Sequence, residues 1–118
     1  MATEFDLLPF SPEEYRARKE AVLVEMAKRG IGVMLVSSTH NIYYLTGFGS
    51  LAYGATVLAL RGDGAAVWVM RRTEFSNIRA LASQLWATEG RGVIDGEDFG
   101  AVLMQVVGDL AGPKATIG

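Results

Sequence analysis

From Ile31 to Val36 the chain reads IGVMLV, without a charge or a proline, and this run constrains the fold more than any other stretch. It has the pattern of a strand covered on both faces. Its flanks agree with that reading. Lys28, Arg29 and Gly30 precede it: cations favour the negative pole of a helix, and glycine accepts the left-handed backbone that closes one. Ser37, Ser38, Thr39, His40 and Asn41 follow, residues that hydrogen-bond their own backbone and favour turns and helix starts. Ile42 to Leu45 then reads as one short helical turn, which Gly47 stops.

Upstream, Met1 to Phe10 reads as an extended leader, and Ser11-Pro12-Glu13-Glu14 as a helix start with a hydroxyl N-cap, proline at the first position and a capping-box carboxylate. The spacing of Tyr15, Val22, Leu23, Met26 and Ala27 predicts a helix from Pro12 to about Arg29, with Arg16, Arg18 and Lys19 among the residues facing water. Downstream, Ala55–Arg61 and Ala65–Arg71 read as antiparallel strands joined by Gly62-Asp63-Gly64, whose Asp-Gly pair suits the positive backbone angles of a hairpin turn. Arg61-Gly62-Asp63 also spells an integrin-type adhesion motif, but its setting is that of a turn. A helix is predicted from Arg72 to about Ser83, a short strand over Leu85–Thr88 and a loop from Gly90 to Gly96, in which Asp95 is placed to cap the next helix. Phe99, Val102, Leu103, Val106, Val107 and Leu110 give that helix its amphipathic stripe. Lys114 to Gly118 begins a further strand, and its abrupt end suggests the front part of a longer polypeptide. The alternation of helices and strands with one hairpin implies an α/β fold, a mixed sheet with helices on its faces.

The chemistry is sparse. With 118 residues, half of them hydrophobic, the chain has the material for one domain with a core, and its net charge of -2 offers no field for nucleic acid. The absence of cysteine removes disulfides, thiolate metal sites and cysteine nucleophiles. Together with the acidic start MATEFD and the lack of a membrane-length apolar run, it points to a cytoplasmic protein with no membrane association. His40 is the only histidine, so a multi-histidine metal site is impossible, and the simpler reading of His40 is a turn residue. The carboxylates are scattered; Asp95, Glu97 and Asp98 cluster where they would complement a helix dipole. Tyr43, Tyr44 and Phe48 read as core or subunit contacts, and no phosphate-binding glycine motif occurs.

Leu8-Pro9-Phe10-Ser11, Glu14-Tyr15 with Arg18 and Met26, Gly30-Ile31, and above all Asn41-Ile42-Tyr43-Tyr44-Leu45-Thr46-Gly47-Phe48 closely resemble the N-terminal domain of the creatinase/prolidase family, and the likeness continues into Met70-Arg71-Arg72-Thr73-Glu74. The resemblance implies a ribonuclease-H-like α/β fold for residues 1–118, followed in such proteins by a catalytic domain of pita-bread fold. It implies that these residues form a non-catalytic domain that gates substrate entry and supports a homodimer in a Xaa-Pro dipeptidase or aminopeptidase-like metallohydrolase. Two divalent metal ions would then lie in that catalytic domain and none in this one. A metal-free creatinase-like or ectoine-hydrolase-like enzyme acting on an amidino or amide substrate is the alternative, and a freestanding α/β binding module is a third reading.

In creatinase, the loop after the NIYYLTGF-like segment sets an aromatic residue and, two positions on, an arginine against the substrate. Tyr53 aligns with the aromatic, while Ala55 stands in place of the arginine. Without that cation the loop lacks a bidentate clamp for a carboxylate. Arg71 and Arg72 are the candidates to supply the charge, within one subunit or across a dimer, against the simpler reading of surface charge or a pair with Glu74.

Overall fold

The computed structural model describes residues 9–49 and 56–112. Tyr53, Ala55 and the strand expected over Lys114–Gly118 lie outside that range. Eight elements follow one another: α1 (Pro12–Arg29), β1 (Val33–Val36), α2 (Thr39–Thr46), β2 (Val57–Arg61), β3 (Ala66–Arg71), α3 (Arg72–Ala80), β4 (Gly90–Val93) and α4 (Phe99–Ala111). The sheet order is β1-β2-β3-β4, with two antiparallel ladders followed by a parallel one between β3 and β4.

The predicted caps form as the residue types dictate. Ser11 Oγ accepts the Glu14 N–H at 3.2 Å to open α1, and Gly30 closes it at φ 67°. Ser38 Oγ accepts the Asn41 N–H, so the polar run after β1 becomes α2 itself, longer than the single turn expected. Gly47 ends α2 at φ 81°, packed so tightly on Tyr15 that a methyl group there would meet the ring at 2.8 Å.

One core lies beneath α2 and α3, where Val36, Ile42, Leu45, Phe48, Leu58, Trp68, Met70 and Ile78 are all buried, with Val22 of α1 packed against them. Trp68 is completely enclosed; its ring meets Phe48 edge-on at 5.5 Å and its indole N–H donates to the Ala87 carbonyl at 2.8 Å. On the opposite face Val69, Val93 and Val102 join Phe99, Leu103 and Val106 under α4. The strand covered on both faces is β2, buried from Val57 to Leu60, rather than β1, whose Met34 and Leu35 are half-exposed. In the described part of the sheet β1 is an edge, with its Val33 and Val36 buried and its Met34 and Leu35 partly open.

The hairpin differs in detail. Only Gly64 takes a positive φ, 97°, and the Gly64 N–H donates to the Arg61 carbonyl, so one glycine rather than an Asp-Gly pair reverses the chain. A larger difference concerns β4. Leu85–Thr88 contributes buried side chains but no ladder, and the strand forms over Gly90–Val93, in the stretch read as loop. The reason is close approach: a Cβ on Gly90 would fall inside the Phe75 ring, and one on Gly92 would lie 3.0 Å from Arg72 Cα. These glycines let α3 rest on the strand's backbone. α3 is also shorter than expected, ending at Ala80. Finally, α4 is capped by Asp98, which accepts the Gly100 and Ala101 N–H groups, and not by Asp95.

Candidate functional site

The ladder directions make β1, β3 and β4 run the same way, so their C-terminal ends share one edge of the sheet. Crevices at the carboxyl ends of strands are where open α/β sheets bind ligands. Here that rim carries Ser37 and Ser38 after β1, Arg71 and Arg72 at the β3–α3 junction, and Ile94 and Asp95 after β4. β2 enters the sheet from the same edge, with Val57 opposite Val69, two residues before Arg71.

No residue separates β3 from α3, so Arg71 and Arg72 belong to different elements and project from a rigid corner. Arg71 borders a cavity of about 230 Å³ with Val93, Asp95, Glu97 and Phe99. Its guanidinium reaches Asp95 at 3.5 Å, and both groups are well exposed, at 59% and 99% of their side-chain surface. A pair so solvated holds weakly and exchanges readily for another carboxylate. Arg72 instead borders a neighbouring groove with Phe75, Arg79 and Arg91. The two arginines are thus adjacent in sequence but line different recesses.

The acidic cluster is divided among separate tasks. Asp95 faces Arg71, Asp98 caps α4, and Glu97 accepts the Ile94 N–H at 3.0 Å and pairs with Arg91 at 3.0 Å. The Ile94 N–H first, and Arg91 after it, holds the Glu97 carboxyl below its ordinary range. His40 is exposed on the first turn of α2. Among the described residues no three His, Cys, Asp or Glu side chains stand together as a metal site.

A larger recess of about 380 Å³ lies at the end of β1, where Val22, Met34 and Leu45 form an apolar wall opposite Ser38, Asn41 and Tyr44. Tyr44 is 59% exposed and Tyr43 46%, so of the aromatic segment only Phe48 enters the core. Arg18, expected to face water, is mostly covered: its guanidinium stands 4.3 Å from the Tyr44 ring and 4.6 Å from Phe10, and donates to the Tyr44 carbonyl at 2.7 Å. Burial pushes the Tyr15 phenol up, and the Arg18 charge beside it pulls the other way. Arg18 follows Glu14 by four residues on α1, an ion-pair spacing that conceals its tertiary role.

Residues 18–118 match the sequence pattern of the Creatinase/Prolidase N-terminal domain. The chain belongs to that family. Among relatives of the creatinase/prolidase N-terminal domain, the ectoine hydrolase of Halomonas elongata is 40% identical over 68 residues, which is 57% of this chain and 17% of that protein. Prolidase from Thermococcus sibiricus superposes with a TM-score of 0.73 at 21% identity, covering 87% of this chain and 27% of the other. Dipeptidase PepE from Mycobacterium ulcerans gives 0.71 at 20% identity, over 84% and 27%. The creatinase/prolidase N-terminal domain of an X-Pro dipeptidase from Streptococcus pyogenes gives 0.64 at 22%, over 76% and 71%. At these identities the structures share the fold with this creatinase/prolidase domain, which spans about a quarter or less of the longer relatives.

Proposed function

We propose that this chain is the non-catalytic front domain of a cytoplasmic hydrolase acting on a small amide or amidine substrate, where it walls the active-site cleft and supports a homodimer. The observation that carries this reading is extent: the domain spans 17% to 27% of relatives named as hydrolases, leaving most of their length for the chemistry. The rim supplies the contact. Among the described residues Arg71 pairs with the exposed Asp95 carboxylate, an arrangement ready to exchange for a substrate carboxylate. Tyr53 joins it as a substrate-side residue on the strength of the sequence resemblance, and Arg72 as the second cation of the β3–α3 corner. The 40% identity to ectoine hydrolase favours an ectoine-like cyclic amidine carboxylate as substrate. A Xaa-Pro dipeptide, with two divalent metal ions in the catalytic domain, is the second reading, favoured by neighbours named as prolidase and dipeptidase.

The test uses the full-length enzyme with ectoine and with a Gly-Pro dipeptide as alternative substrates. Arg71→Ala is expected to raise KM for the true substrate about tenfold, some 1.4 kcal/mol, with little change in kcat. An unchanged KM removes Arg71 from the site. Turnover by the 118-residue chain alone overturns the non-catalytic assignment.

A further inference from the structure

Asp95 is the carboxylate of the rim that the fold does not use. Its acidic neighbours are engaged: Asp98 caps α4, and Glu97 accepts the Ile94 N–H at 3.0 Å and holds Arg91. The Glu97 N–H also donates to the Ile94 carbonyl at 3.2 Å, so residues 94–97 form a turn closed twice, by backbone and by side chain. Gly96, its third residue, takes a φ of 92°, a value that such turns assign to glycine. Asp95 stands just before it with its side chain 99% exposed. A braced turn thus presents a carboxylate that neither a cap nor a buried ion pair consumes.

Arg71, on the equally fixed β3–α3 corner, lines the same cavity of about 230 Å³ and meets Asp95 at 3.5 Å. Val93 and Phe99, which belong to the core under α4, give that cavity an apolar wall beside one cation and one anion. The combination matches a small ring that carries one charge of each sign. A plain anion drawn to Arg71 meets the repulsion of Asp95, whereas a zwitterion replaces one weak ion pair by two and leaves no charge without a partner.

On the reading of Arg71 as a substrate-facing residue, we propose that Asp95 sets the specificity of this site. Arg71 turns from Asp95 to the substrate carboxylate, and Asp95 takes the substrate's cationic nitrogen, so the rim selects compact zwitterions over plain carboxylates. Both new contacts are charge-assisted hydrogen bonds. An amidinium ring with its carboxylate on the carbon next to nitrogen carries its two charges as neighbours, as the 3.5 Å separation of the pair requires. A dipeptide carries them at the two ends of its chain, which two groups this close do not span.

The test uses the full-length enzyme, with ectoine as the zwitterion and cyclohexanecarboxylate, a ring acid without the cation, as a competing ligand. Asp95→Asn keeps the size of the side chain and removes its charge. It is expected to raise KM for ectoine about tenfold and to lower the inhibition constant of cyclohexanecarboxylate about threefold, at an unchanged thermal midpoint. Asp109→Asn, which removes the same charge from exposed α4 surface, leaves both constants alone. Movement of both constants in the same direction by Asp95→Asn overturns the proposal, as does an unchanged KM for ectoine. So does turnover of Gly-Pro without turnover of ectoine. Arg71→Ala, expected to weaken both ligands, tests the reading beneath: if it weakens neither, the rim does not face substrate and the role of Asp95 falls with it. A loss with Arg71→Ala beside a silent Asp95→Asn keeps the rim and removes Asp95 alone.

Discussion

Asp63 shows how one exposed side chain ties a turn together. Its carboxylate takes the Arg61 guanidinium at 2.9 Å through each oxygen and accepts the Ala65 N–H at 3.0 Å. The Arg61 bond first, and the Ala65 N–H next, lowers its pKa from the ordinary 3.8 to about 2. A carboxyl depressed on folding contributes stability that is complete above its unfolded value and disappears as pH falls through the folded one. Thermal midpoints of the native chain and of Asp63→Asn, followed by circular dichroism, should therefore converge between about pH 4 and pH 2. Parallel curves across that window would mean that the turn does not depend on this carboxylate. Individual residues were legible in the sequence where their role is local, as with Ser11, Ser38, Gly30 and Gly47. Arg18 was not, because its partners Phe10 and Tyr44 come from separate elements that only tertiary packing brings together.

At the scale of elements, the helices were readable and the last strand was not. Proline at a helix start and a three-four apolar spacing act within one segment, so α1 and α4 follow from sequence. β4 reads Gly-Arg-Gly-Val, which has neither alternation nor β-branched residues at its start. Its glycines exist because a helix lies on them, and that helix is distant information. The same limit moved the α4 cap from Asp95 to Asp98: three acidic residues in a row of four offer similar chemistry, and loop geometry chooses among them. Asp98→Ala should cost about 1 kcal/mol of stability, the usual loss for an N-cap. Asp95→Ala should stay within about 0.5 kcal/mol, as for an exposed surface change. Urea titrations of both variants check the assignment, and equal losses would refute it. Arg71 stands at the end of the second hairpin strand, where the sequence put it, but its pairing with Asp95 comes from β4 and the separation of Arg72 into its own groove depends on the abrupt β3–α3 corner.

For the whole molecule, the sheet is built from two kinds of contact. β1, β2 and β3 are joined by antiparallel ladders, and β4 adds to β3 through a parallel one. Val36 pairs with Leu58 across as much chain as Trp68 pairs with Gly90, so the β2–β3 hairpin is the ladder that closes at small entropic cost. The glycine strand described above makes the sheet unequal in its resistance to opening. Its one ladder and bare backbone form a unit that opens without disturbing the meander, so in deuterated buffer the β4 amides should exchange well before those of β2, whose four buried residues open only with the whole fold. Simultaneous exchange of both strands would instead mark the domain as a single cooperative block. With β4 the first strand to open, its lifetime in the sheet is set by whatever lies against its outer side.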